Sequence, residues 1–171
     1  MVAAIELYFD GDSQARLRRL WDALEAAGVP SLREHTHRRH RPHLSLAVAR
    51  RLDPEHVAAA VRGLLPPDGL RLEFTTVGQF PRRVLWLGPA VGPELLALHR
   101  GVHERLTAAG VEVADVYRPG AWVPHCTVSQ QVPWAGLARA VGLCLDALPI
   151  TASLRSAAVV DHTRGLYRPI D

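Results

Sequence analysis

The sequence predicts an α+β fold built from two similar halves with a cleft between them. Three observations carry that expectation. Helix-period and strand-period segments follow one another in the same order twice along the chain. Consecutive strands are joined by short turns, which favours antiparallel pairing. A histidine directly after a proline opens one strand in each half, His43 after Pro42 and His125 after Pro124.

Val2 to Phe9 alternates loosely and reads as a strand. Asp10 to Ala27 has Leu17, Leu20, Trp21 and Leu24 on one helical stripe, and Gly28 ends it. The polar, basic stretch from Arg33 to Pro42 reads as a loop. His43 to Ala49 then reads as a strand, and Asp53 caps a helix from Pro54 to Leu65. Strands are expected at Leu70–Val77 and Val84–Leu87. In the second half the pattern predicts a helix from about Pro93 to Ala109 and a loop around Arg118, Pro119 and Gly120. A strand starts at His125, and a helix covers about Trp134 to Leu148. Strands follow near Ile150–Val160 and Leu166–Ile170. The spacing from each histidine agrees: Pro54 lies 11 residues after His43 and Pro133 lies 8 after His125, while Leu70 and Ile150 lie 27 and 25 after theirs. The chain is read as a single bilobal domain over 1–171, with an internal repeat at about 30–90 and 113–171.

Composition narrows the chemistry. At 171 residues with 48% apolar content, the chain is long enough and apolar enough for one packed domain. All 20 basic residues are arginine, and there is no lysine. Schiff-base chemistry, lysine adenylation and a Walker-type phosphate loop each need a lysine, so all three are excluded. Anions are left to arginine, which suits bidentate phosphate recognition. Cys126 and Cys144 are too few for a disulfide framework or a thiolate metal site, and both sit in apolar stretches. Residues 1–6 lack the basic start of a secretory signal, and no apolar run is long enough to span a bilayer. A cytoplasmic monomer is expected.

The chemistry rests on His43-Leu44-Ser45-Leu46 and His125-Cys126-Thr127-Val128. On a strand, side chains alternate, so each histidine shares a face with its hydroxyl while the apolar neighbours face inward. Duplicated, the pattern offers two imidazoles and two hydroxyls to a common space. One neutral imidazole can take a proton while the other, protonated, gives one, each role being worth roughly 10²–10⁴ in rate. Ser45 and Thr127 can donate to phosphate oxygens as charge develops. No metal or other cofactor is required.

These paired motifs resemble the 2H phosphoesterase superfamily, specifically its LigT-like 2′-5′ RNA ligase and RNA 2′,3′-cyclic phosphodiesterase group. Gly78-Gln79-Phe80-Pro81-Arg82-Arg83-Val84-Leu85-Trp86-Leu87-Gly88 and Trp122-Val123-Pro124-His125-Cys126-Thr127-Val128 add to the likeness, which spans roughly Ile5 to Pro169. The resemblance implies a bilobal fold, two antiparallel sheets forming a central groove flanked by helices. It implies hydrolysis of 2′,3′-cyclic phosphates on RNA 3′ ends or nucleotides to 2′-phosphates, or of ADP-ribose cyclic phosphate. Some members join RNA ends through 2′-5′ linkages without ATP. Ser45 stands where threonine is commoner in the family, but the hydroxyl is kept.

Arg41 and Arg118, each just before a motif, are candidate phosphate clamps. Among the aromatics, Trp122 and Tyr167 are favoured over Tyr8, Phe80 and Trp86 for stacking on a base in the groove. The run from Arg33 to Arg41 reads as either an RNA-gripping flap or a solvated loop. His35 and His37 within it lack the carboxylates or thiolates of a convincing metal set. His99 and His103 are spaced like a zinc helix, but Arg100 replaces the needed glutamate, so an exposed helix face is expected. Two other readings remain: a non-catalytic module that binds a nucleotide or RNA end, and a metal-dependent hydrolase built on the histidine-rich loop.

Overall fold

Asp10 separates the first strand from the first helix by its own hydrogen bonding. In the computed structural model, which describes residues 3–33, 40–49 and 53–170, β1 spans Ala3–Phe9 and α1 spans Gly11–Ala26. The Asp10 carboxylate accepts the Ser13 N–H at 2.8 Å, satisfying one of the helix's free donors. Leu17, Leu20, Trp21 and Leu24 are buried as the stripe predicts. Gly28, at φ +74°, closes the helix: its N–H reaches Glu25 O, and the Val29 N–H reaches Leu24 O. A side chain at that φ would be strained, which is why glycine ends the helix there.

β2 is His43–Ala49, as the alternation predicts. α2 is Pro54–Ala60, shorter than expected, because the chain turns at Val61 and adopts φ +68° at Gly63 ahead of Pro66 and Pro67. β3 (Leu70–Phe80) and β4 (Val84–Pro89) form a hairpin longer than the alternation suggested. α3 is Pro93–Ala108, and β5 is Cys126–Ser129, with His125 immediately before its first paired residue. A short 3₁₀ turn at Trp134–Gly136 leads into α4, Leu137–Ala147. β6 (Ile150–Asp161) and β7 (Leu166–Ile170) complete the chain.

All pairings are antiparallel, in the order β2-β1-β6-β3-β4-β5, with β7 also on β6. The twelve-residue β6 joins two arms. Its residues 150–154 pair with β3 and its residues 157–161 with β7, while β1 runs along its other side. The two expected sheets are therefore hydrogen-bonded into one. Its terminal strands are β2 and β5, the two that carry the histidine motifs. They approach each other: the backbone of His43 hydrogen-bonds the Cys126 thiol, which burial pushes up to about 12. One core lies on the helix-covered face, where Leu44, Leu46, Leu85, Leu87, Cys126 and Val128 are buried. The opposite face carries the polar side chains of both motifs. Among the described residues no helix is long and apolar enough to cross a membrane.

Candidate active site

Proline sets both histidines in the same way. The residue before a proline is held extended, so its carbonyl has a fixed direction. In Arg41-Pro42-His43, His43 Nδ1 lies 2.9 Å from Arg41 O. In Val123-Pro124-His125, His125 Nδ1 lies 2.7 Å from Val123 O. A carbonyl only accepts, so each Nδ1 carries the hydrogen, and Nε2 is the ring nitrogen each motif keeps for other partners. Ser45 and Thr127, two residues on, are half-buried like the histidines, while Leu44 and Cys126 between them are fully buried. The alternation thus sorts each motif into a core face and an open face.

Around His43 the surroundings are polar and titratable. Glu6 on β1 is only 2% exposed, and its carboxylate is ringed by donors. Tyr8 Oη donates to Oε2 at 2.6 Å, His162 Nε2 donates to Oε1 at 2.7 Å, and His43 Nε2 stands 3.5 Å from Oε1. Burial works against the charge of Glu6, but His43, His162 and Tyr8 together bring its carboxyl down to about 2. The bond to Glu6 raises His162, and burial together with Glu6 raises the Tyr8 phenol. His40 packs against the rings of His43 and His162 at 4.8 and 4.7 Å. Burial, with His43 and His162 alongside, lowers it to about 3. The Ser45 hydroxyl bonds Tyr117, from the 3₁₀ turn Asp115–Tyr117.

His125 sits among aromatics instead. Phe80 meets it edge-on at 4.8 Å between centroids, and Trp86 lies 6.0 Å away. Burial lowers its titration, the Val123 carbonyl opposes this, and His43 adds to the lowering. Trp86 can lie here because its strand partner is Gly78. A Cβ on Gly78 would fall 2.1 Å from the indole ring. Gly78→Ala is therefore expected to displace Trp86 and cost about 1–3 kcal/mol as overpacking, read as a lower denaturation midpoint with altered tryptophan fluorescence. An unchanged midpoint and spectrum would show that the indole does not need this seat.

The match to known proteins agrees with this geometry. Residues 10–166 match the 2′-5′ RNA ligase superfamily. The chain belongs to that superfamily. It has the LigT-like fold of the 2H phosphoesterases. The E. coli LigT structure complexed with 3′-AMP superposes at TM-score 0.62 and 16% identity, over 99% of this chain and 94% of LigT. A crystal structure described as a phosphoesterase superposes equally well, at 0.62 and 17% identity over 99% and 94%. The MHV ns2 PDE domain superposes at 0.56 and 19% identity, over 75% of this chain and 82% of that domain. These likenesses establish the fold. No curated protein matches the sequence.

Of the other residues singled out from the sequence, Arg41 and Tyr167 gather around Tyr8, whose ring centroid lies 6.3 Å from that of His43. The Arg41 guanidinium is 4.0 Å from the Tyr8 ring centroid and 5.1 Å from that of Tyr167, which is exposed. Trp122 is taken up structurally: it stacks on His99 at 4.0 Å and donates from Nε1 to Ser45 O at 3.0 Å. Arg118 is exposed, pairs with Asp115 at 3.0 Å, and lines a surface groove with Arg100 and Glu104. It is the neighbouring Tyr117 that turns toward Ser45. His99 and His103 are not an exposed face; they are 2% and 6% exposed, with Nε2 atoms on Tyr117 O and Leu46 O at 2.9 and 3.3 Å. The expected flap and the pair His35 and His37 lie outside the described residues, which begin again at His40. Arg33, at its start, pairs with Asp22 and Glu25 at 2.5 and 2.7 Å. Among the described residues, no group of three or more His, Cys, Asp or Glu side chains is arranged to hold a metal ion.

Composition and spacing alone did not reveal Glu6, His40, Tyr117 or His162. Glu6 had a signal: it is the one charge in the otherwise apolar strand Ala3–Phe9. Buried acids are rare unless paired, so a charge there implied partners in space.

Proposed function

We propose that the protein is a metal-independent phosphodiesterase that opens 2′,3′-cyclic phosphates, on RNA 3′ ends or on nucleotides, to 2′-phosphates. One observation carries this reading: His43 and His125 stand at the starts of the two terminal strands, each with Nδ1 anchored on the carbonyl before its proline and Nε2 left over. A phosphate placed between the motifs meets a proton donor, a proton acceptor and two hydroxyls. Ser45 and Thr127 would bind its non-bridging oxygens, and Arg41 and Tyr167 the rest of the nucleotide. Proton transfer by this pair needs neither a metal nor a lysine. The 3′-AMP complex of LigT supports a nucleotide-sized ligand in this fold. By the reverse reaction, the same groups would join RNA ends through a 2′-5′ linkage.

The paired motifs also support a duplicated origin. Strand order sets β2-β1-β6 opposite β5-β4-β3, so the halves read best as β1 to β3 and β4 to β6. This shifts the repeat earlier than 30–90 and 113–171, with β7 as an addition.

The test is an RNA oligonucleotide ending in a 2′,3′-cyclic phosphate, incubated with the protein in excess EDTA. Conversion to the 2′-phosphate at the rate seen without chelator is expected. Loss of activity in EDTA that returns with a divalent metal would refute the metal-free mechanism. Binding of the nucleotide without turnover would favour the non-catalytic module.

A further inference from the structure

The two histidines share their backbone anchor but not their neighbours. Nδ1 of His43 donates to Arg41 O, so in the neutral ring Nε2 would present a lone pair to the Glu6 carboxylate 3.5 Å away. Lone pair against anion is repulsive, whereas Nε2–H against anion is attractive. Glu6 cannot turn away. Tyr8 holds one of its oxygens at 2.6 Å and His162 the other at 2.7 Å, and the side chain is almost wholly buried. At 3.5 Å the His43 contact is too long to commit its proton to Glu6, so that proton stays available to a substrate. His125 has no such counterion: among the described residues no carboxylate lies within ion-pair distance of it, and Phe80 and Trp86 line its ring.

We infer that Glu6 is a positioning residue whose fixed carboxylate holds the Nε2–H of His43 in place for donation to the leaving O3′ of the cyclic phosphate. The assignment rests on the phosphodiesterase reading above. His125 Nε2 removes a proton from water as the water oxygen bonds to phosphorus. The P–O3′ bond breaks with its electron pair staying on O3′, which takes the proton from His43 Nε2. A 2′-phosphate and a free 3′-hydroxyl result, and exchange with solvent returns both rings to their starting states. The charge of Glu6 also acts on, and answers to, other groups facing it. These are Tyr8 on its own strand, Tyr117 from the turn before β5, and His162 after β6. From the residues just before β2, Arg41 lies over Tyr8, and His40 lies against His43 and His162.

The experiment compares Glu6→Gln with wild type on two substrates. One is a 2′,3′-cyclic phosphate, whose alkoxide leaving group needs a proton. The other is a nucleoside p-nitrophenyl phosphodiester, whose leaving group does not. Glu6→Gln is expected to slow the first roughly tenfold or more while leaving the second within about threefold. His43→Ala should show the same selectivity, and His125→Ala should lose both reactions. Should Glu6→Gln fail to fold, Glu6→Asp carries the test, since it keeps the charge but draws it back, and a smaller loss confined to the cyclic substrate is expected. Equal loss on both substrates would reduce Glu6 to a structural part and overturn the inference, as would no loss on either. Wild-type protein inactive on both substrates would remove the phosphodiesterase reading itself, an outcome separable from these.

Discussion

Replacing His125 by alanine is expected to lower turnover of a 2′,3′-cyclic phosphate by roughly 10²–10⁴, with the fold retained. The size follows from the task. Water is a poor nucleophile at neutral pH, and His125 is placed to remove its proton as the bond to phosphorus forms. The fold should survive because the ring is only half-buried and, among the described residues, it is anchored by a hydrogen bond to Val123 O, which lies near solvent. His43→Ala should lose as much activity but fold less well, because it takes away one of the groups that stabilise the charge of the buried Glu6 carboxylate. The double variant should be little worse than either single one, since acid and base act in the same step and their losses are not additive. Single-turnover rates with circular dichroism of each variant would check this. Either variant turning over at the wild-type rate would sink the two-histidine mechanism.

Much of this arrangement was legible in the chain. Strand β2 was readable to the residue because Leu44 and Leu46 alternate with His43 and Ser45 between Pro42 and the next helix cap, Asp53. The second motif was readable for the same reason, although only four of its residues pair as a strand. Helix α1 was given by its stripe and by Asp10 and Gly28 at its ends. What the sequence did not reveal was long-range partnership. Glu6 and His162 are 156 positions apart, and only the pairing of β6 beside β1 brings them to one oxygen atom. The histidines of α3 were misread for a related reason. Polar residues at helical spacing look like a solvated face, but two carbonyls, Tyr117 O and Leu46 O, await donors on that side. A buried donor with a partner costs little, and single-sequence periodicity cannot show the partner. Arg118 suggests a phosphate clamp by its place before a motif and Trp122 a stacking ring by being aromatic, yet neither property says where the side chain points. The 3₁₀ turn at Asp115–Tyr117 sends Tyr117 toward Ser45 and Arg118 toward solvent.

The same buried pair on α3 makes the fold acid-sensitive. His99 stacks on Trp122, whose indole holds Ser45 O, and His103 Nε2 meets Leu46 O, so both support the strand that carries His43. Burial, with His103 adding its charge, lowers His99 to about 4, and burial lowers His103 as well. Above pH ~6.5 these rings are neutral whether the chain is folded or not, and their contribution is fully present. As the pH falls below that value the unfolded chain takes up protons that the folded one refuses, and stability is lost until the folded groups titrate too. At roughly 1.4 kcal/mol per unit, the His99 share alone is on the order of 3 kcal/mol by about pH 4. His40, lowered to about 3, adds to the same slope, and Glu6 adds a loss further down, between its ordinary value and about 2. His162 works in the other direction: its raised titration stabilises the fold at low pH, and that contribution fades as pH rises through its folded value. Urea unfolding at pH 7, 5.5 and 4.5 should therefore show falling stability. In His99→Phe, which keeps an aromatic face against Trp122 but cannot take a proton, the fall should be shallower by about one proton's worth. The variant starts lower at pH 7 for want of the bond to Tyr117 O, so the slope, not the starting value, is the test. An identical slope in both proteins would mean that some other group, not the α3 histidine, sets the acid limit of the fold.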